Sequence, residues 1–243
     1  MEPFIRSIEL KRENVPSFDE YPFCLPVVRH LESLSLHPHI TFFVGENGTG
    51  KSTLLEAIAV AFGMNAEGGG RNFNFDTEET HSGLHDAIRI VRGSRRPSTD
   101  YFLRAESFYN VATEIDNLGL AGSYGGESLH AQSHGESFMS LLMNRFWPDG
   151  LYLLDEPEAA LSPARQMAAL SYLHQLVLDG CQFIIATHSP ILMAYPLAKI
   201  YSLTDDGIDE IAYTDTEHYQ VTRDFLNRHE SMLKVLLDGS DDE

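Results

Sequence analysis

Three short, predominantly apolar runs punctuate the chain, and each ends in residues that carry chemistry. Residues 40–44 (ITFFV) lead into GENGTGKST, residues 151–154 (LYLL) into DEPEAALSP, and residues 182–186 (QFIIA) into THSP. Strands covered on both faces lose the alternation of half-exposed strands, so these runs predict interior strands of a mostly parallel sheet. Residues 4–10 do alternate and predict a further strand.

Apolar residues at every third or fourth position predict helices. One runs from the GKST segment through LLEAIAVAF to Gly63, and a second spans 137–146. A third opens at Ser162-Pro163, a side-chain cap followed by proline in the first turn. Its period continues through Met167, Leu170, Leu173 and Val177 to Asp179-Gly180. A fourth, amphipathic, covers 217–237 and runs into the acidic DGSDDE. Shorter signals predict a strand at 24–28 within the proline-rich 11–39 stretch, a helix at 84–91 and a strand at 101–105. Residues 199–203 and 208–213 flank Asp206-Gly207 as a hairpin. The expected fold is α/β, a mostly parallel central sheet flanked by helices with an N-terminal antiparallel β part. Residues 1–243 read as a single domain, with 64–136 as an inserted helical and irregular subdomain rich in glycine and polar residues.

Charge narrows the partners. The formal net charge is −19 and the pI about 4.8, so the surface as a whole repels nucleic-acid phosphates. Arg89, Arg92, Arg95 and Arg96 form a basic strip within eight residues, expected to be solvated or paired with nearby acids. The two cysteines, Cys24 and Cys181, make neither a disulfide framework nor a four-ligand zinc site, and fit a reducing compartment. The N-terminus has no basic-then-apolar leader, and no apolar run approaches about 18 residues. A cytoplasmic chain without direct membrane insertion is expected.

Gly45, Glu46, Asn47, Gly48, Thr49, Gly50, Lys51 and Ser52 match GxxxxGK[ST], with Thr53 closing the loop. Glycines let backbone N–H groups curl around phosphate oxygens, and the helix that follows offers its free amides and positive dipole end. Lys51 can reach the β- and γ-phosphates, and Ser52 can ligate Mg²⁺. Asp155, 104 residues after Lys51, leaves its strand at the carboxyl edge where open α/β sheets bind ligands. It would hold Mg²⁺, while Glu156 orients or deprotonates an attacking water. His188, at the end of the next strand, can reach the γ-phosphate of ATP. His81 and His85, like His37 and His39, have metal-ligand spacing but no third ligand, and are expected to be solvated.

The order of the phosphate loop, Ser133-His134-Gly135-Glu136-Ser137, LYLLDEPEAALS and IIATHS resembles the ABC-type ATPases, and within them the soluble branch with SMC-like and RecF-like heads. The resemblance covers nearly the whole chain and implies an ATPase with ATP and Mg²⁺ as ligands. It implies that Ser133, Gly135 and Glu136 stand for the signature motif, which faces the phosphate loop of a second subunit in an ATP-dependent homodimer. Residues 159–162 correspond to the D-loop. The glutamine loop has no glutamine here; Glu106, near the end of the 101–105 strand, takes its place as a candidate aid to Mg²⁺ or water. Phe18 and Tyr21 are the candidates for stacking on adenine. Other readings of the family remain: a membrane transporter's nucleotide-binding subunit, a head acting on nucleic acid in maintenance or defence, or a slow nucleotide-gated switch signalling to a protein partner.

Overall fold

The computed structural model describes residues 2–69, 82–104 and 134–238. Its centre is a six-stranded sheet in the order β5-β6-β7-β3-β8-β9. These strands are β3 (Ile40–Val44), β5 (Thr99–Arg104), β6 (Gly150–Asp155), β7 (Gln182–Ala186), β8 (Ala198–Thr204) and β9 (Gly207–Ile211). All neighbours run parallel except β9, which turns back on β8 as the expected hairpin. A second, antiparallel sheet joins β1 (Ile5–Leu10) to β2 (Ser33–Ser35) on one side and β4 (Ile88–Arg92) on the other.

The period of two along each buried strand sends alternate residues to opposite faces, both of them covered, which explains why the runs are mostly apolar on both faces. Phe42, Tyr152, Leu154, Phe183 and Ile185 share one core with α4 (His134–Arg145), α5 (Pro163–Leu178) and the short α6 (Pro190–Met193). Phe43, Leu151, Leu153 and Ile184 share the other with α2 (Lys51–Phe62) and the antiparallel sheet. Thr41 and Gln182, both fully buried, are the polar exceptions, and Gln182 reaches across to β1. Its Oε1 accepts from the Phe4 and Ile5 amides at 2.9 Å, and its Nε2 donates to the Ile5 and His37 carbonyls. A buried carboxamide with its partners in place costs little, and here it ties β1 to the central sheet.

Local signals were overruled in three places. Residues 24–28 hold no strand: Pro26, with φ preset for a first helical turn, opens the short helix α1 (Pro26–Arg29) and buries Val27 and Val28. The helix expected over 84–91 stops after one turn, α3 (Leu84–Ala87). Ile88 and Ile90 instead pair with Leu10 and Ile8 in β4, where β-branched residues pack well. In α5 the buried stripe is Ala169, Leu173, Leu176 and Val177, whereas Met167 is exposed. Strands β4 and β5 both fall inside the 64–136 segment, one in each sheet.

Two of the four arginines of the basic strip pair with acids, and a third lies over a ring. Arg89 pairs with Glu9 at 3.2 Å, Arg92 lies over the Phe62 ring, and Arg95 pairs with Asp149 and covers Phe4. His37 and His39 pack ring to ring and are half-buried rather than solvated; burial holds both below the usual histidine range. His85 lies beside Asp86, and His81 is outside the described residues. Among the described residues no cluster of three potential ligands forms a metal site, and no helix is long and apolar enough to cross a membrane.

Candidate nucleotide site

Parallel register brings the carboxyl ends of β3, β6 and β7 to one edge, with Phe43 beside Ala186 and Asp155 beside Ala186 on the other side. Residues 45–50 loop from β3 into α2. Gly45 has φ +147°, and a Cβ there would stand 2.3 Å from the Leu203 carbonyl oxygen. Gly50, at φ +95°, would meet Val27 at 2.7 Å. Only glycine satisfies both the left-handed backbone and this close approach. Thr49 Oγ1 donates back to the Glu46 carbonyl at 2.9 Å and closes the loop.

Lys51 is buried, and its ammonium donates to the Gly45 and Glu46 carbonyls, both at 2.8 Å. Burial lowers its pKa, while Glu156, Asp155, Glu46 and Glu158 oppose that shift. Ser52 Oγ donates to Asp155 Oδ1 at 3.0 Å. A hydroxyl and a carboxylate are hard oxygen donors, and neighbouring ligands of an octahedral Mg²⁺ with 2.0–2.1 Å bonds lie about 2.9 Å apart. The pair therefore fits that ion. Thr53 Oγ1 and the Tyr21 hydroxyl are 3.2 Å apart, which puts the exposed Tyr21 at the loop. Phe18 instead is half-buried beneath the Arg12 guanidinium.

Glu156 sits in the left-handed region, φ 49° and ψ 51°, with its amide donating to the Ala186 carbonyl at 2.9 Å. For a residue with a Cβ this conformation costs about 1–2 kcal/mol and is found where function demands it. Its Oε1 is 3.6 Å from His188 Nε2. That nitrogen is buried and has no hydrogen-bond partner among the described residues. His188 Nδ1 meets His218 Nε2 at 2.8 Å. His218 comes from the first turn of α7 (Glu217–Asp238) and borders a cavity of about 480 Å³ between the phosphate loop and the end of β8.

The sequence motifs give Glu158 no role, yet it is central to the strand ends. This carboxylate accepts from Thr187 Oγ1 at 2.7 Å and from the His188 amide at 2.5 Å. It fastens the short turn after β6 (Pro157–Ala160) to the loop after β7. Burial raises its pKa against those two hydrogen bonds. Its only signal in the sequence is a third acid in DEPE.

Of the residues expected to stand for the signature motif, Gly135 and Glu136 are described. A Cβ on Gly135 would strike Arg165 at 2.4 Å and the Ala160 carbonyl at 2.8 Å, so α4 starts hard against the 157–160 turn. Glu136 pairs with Arg165 at 3.1 Å. Ser133 and Glu106 lie outside the described residues. Arg104, the last residue of β5, is held by Glu56 of α2 at 2.8 Å.

The model of a family described as "AAA domain" matches residues 9–116, under half of the chain. No curated protein matches the sequence. Among solved structures, a chain of an ABC transporter in an inward-facing conformation is 19% identical, with a TM-score of 0.50 over 90% of this chain and 87% of that one. The SMC head domain from Thermotoga maritima is 17% identical with a TM-score of 0.45, covering 85% and 98% of the two chains. An ATP-binding cassette of an ABC transporter in its ADP conformation is 16% identical, TM-score 0.48, covering 97% and 99%. The chain shares its fold with the ABC transporter chain over nine-tenths of its length.

Proposed function

We propose that the chain binds Mg-ATP at the phosphate loop and hydrolyses it to ADP and phosphate, between two copies that close on the nucleotide. The observation that carries this reading is the convergence at one sheet edge of Lys51, the Ser52–Asp155 pair, Glu156 and His188, whose Nε2 has no hydrogen-bond partner among the described residues.

Loop amides 45–50 and the α2 N-terminus would cradle the phosphates. Lys51 would exchange its two carbonyl partners for β- and γ-phosphate oxygens. Ser52 and Asp155 would hold Mg²⁺, which supplies charge neutralisation between those phosphates. Glu156 would align the attacking water and accept its proton, and His188 would donate from Nε2 to the terminal phosphate. The N-terminus of α4, carrying Gly135 and Glu136 and preceded by Ser133, would face the partner's nucleotide; Glu106 remains a proposed aid to the metal or water. Tyr21 is the proposed adenine neighbour.

The test is the size of the Glu156→Gln protein in solution. With Mg-ATP it runs as a dimer; without nucleotide, or with Lys51→Ala added, it runs as a monomer. The same size under all three conditions contradicts the shared site.

A further inference from the structure

His218 is far in sequence from every motif of the site, yet its ring touches the one histidine placed to meet the terminal phosphate. The two rings lie 5.0 Å apart between centroids at 59°, and the 2.8 Å contact joins His188 Nδ1 to His218 Nε2. We propose that His218 is a positioning residue, whose Nε2–H donates to His188 Nδ1 and so keeps the His188 proton on Nε2. The inference rests on the hydrolysis reading for its purpose, but not for its geometry.

A neutral imidazole has one donor and one acceptor, so a hydrogen bond between two neutral rings has two possible directions. Burial lowers the pKa of both histidines, and the Lys51 ammonium lowers both further, against Glu46 and, at His188, Glu156. Both are therefore neutral near pH 7. The direction follows from the other end of His188. Its Nε2 faces Glu156 Oε1 at 3.6 Å, and a carboxylate oxygen only accepts. A lone pair on Nε2 would oppose that oxygen, whereas an N–H is attracted to it. Nδ1 is then the bare nitrogen, and His218 must be the donor. A histidine fixed in this form offers an N–H to the γ-phosphate of ATP; the opposite form would offer only a lone pair.

The His218 ring also connects the site to α7, whose first turn it occupies. Motion of α7 relative to β7 would break the bond and free the His188 tautomer.

The nitrogen-15 NMR spectrum of the imidazoles in the nucleotide-free protein reads the tautomer directly. The expected result is a protonated Nε2 and bare Nδ1 on His188, lost to a tautomer mixture in His218→Ala. In ATP hydrolysis His218→Ala lowers kcat about tenfold, a barrier change of about 1.4 kcal/mol, with KM unchanged. His218→Gln, whose amide nitrogen reaches the same place, recovers most of the rate. A wild-type His188 protonated on Nδ1 overturns the proposal, as does a His218→Gln protein that is folded but as slow as His218→Ala. A wild-type protein with no ATPase activity sinks the hydrolysis reading alone, because the spectra still decide the histidine pair.

Discussion

The Ser52 hydroxyl donates to Asp155 Oδ1 at 3.0 Å, joining residues 103 apart in sequence. One comes from the first turn of α2 and the other from the last position of β6, so the contact measures how closely the phosphate loop and the acidic strand end are docked. Hard oxygen donors at this spacing suit Mg²⁺. Asp155→Ala is expected to weaken binding of Mg-ATP by at least roughly tenfold, the loss of about 1.4 kcal/mol. Affinity for ATP measured in excess chelator should change little. Calorimetric titrations with and without Mg²⁺ check this; an equal loss in both would place Asp155 outside the metal's coordination.

Glu158 makes a prediction with a definite pH sign. Burial raises its folded pKa above the unfolded value, so the native state holds the extra proton. Stability therefore falls as pH rises from the unfolded value toward the raised one, and stays reduced above it. Glu158→Gln keeps an acceptor for the His188 amide and places an amide donor against Thr187 Oγ1. Its melting temperature should equal wild type in mild acid and exceed it at pH 8. Glu158→Ala leaves both donors without a partner and should cost about 1–3 kcal/mol. Thermal melts across pH test both variants, and a Glu158→Gln curve parallel to wild type would remove the buried charge from the account.

Gln182 holds four hydrogen bonds to backbone groups of β1 and its neighbourhood. Gln182→Leu is close in size but leaves those groups facing apolar surroundings. A loss of about 3 kcal/mol is expected in denaturant titration. A change below about 0.5 kcal/mol, the range of ordinary surface substitutions, would mean that β1 is anchored without it.

Tyr21 and Phe18 separate by environment. Tyr21 is exposed beside Thr53, while Phe18 packs under Arg12. Tyr21→Ala should raise the Kd for ATP about tenfold, a typical worth of one aromatic stack on a base. Phe18→Ala should act on stability instead. Fluorescent-nucleotide titration and melting of the two variants distinguish them, and the reverse pattern would move the adenine to Phe18.

The parts of the site legible in the sequence are those whose chemistry depends on contiguous residues. Gly45, Gly50, Lys51 and Ser52 share one loop whose backbone dictates the residue types. Asp155 and His188 are each announced by the apolar run before them. The parts missed depend on contacts between distant segments. Glu158 acquires its meaning only when β6 and β7 lie side by side, and His218 only when α7 folds back over the strand ends. The same holds for the fold. Residues 88–91 read locally as a continuation of α3, because their partner β1 lies about 80 positions earlier, and β propensity is expressed through such pairing. The strand misplaced at 24–28 had a local remedy in Pro26, which favours a helix's first turn.

The central claim is tested most directly by comparing ATP binding and steady-state hydrolysis in the wild type and in Glu156→Gln. The account predicts equal affinity for Mg-ATP and turnover lower by roughly 10²–10⁴-fold, the usual contribution of a positioned acid or base. Wild-type turnover in Glu156→Gln would contradict it.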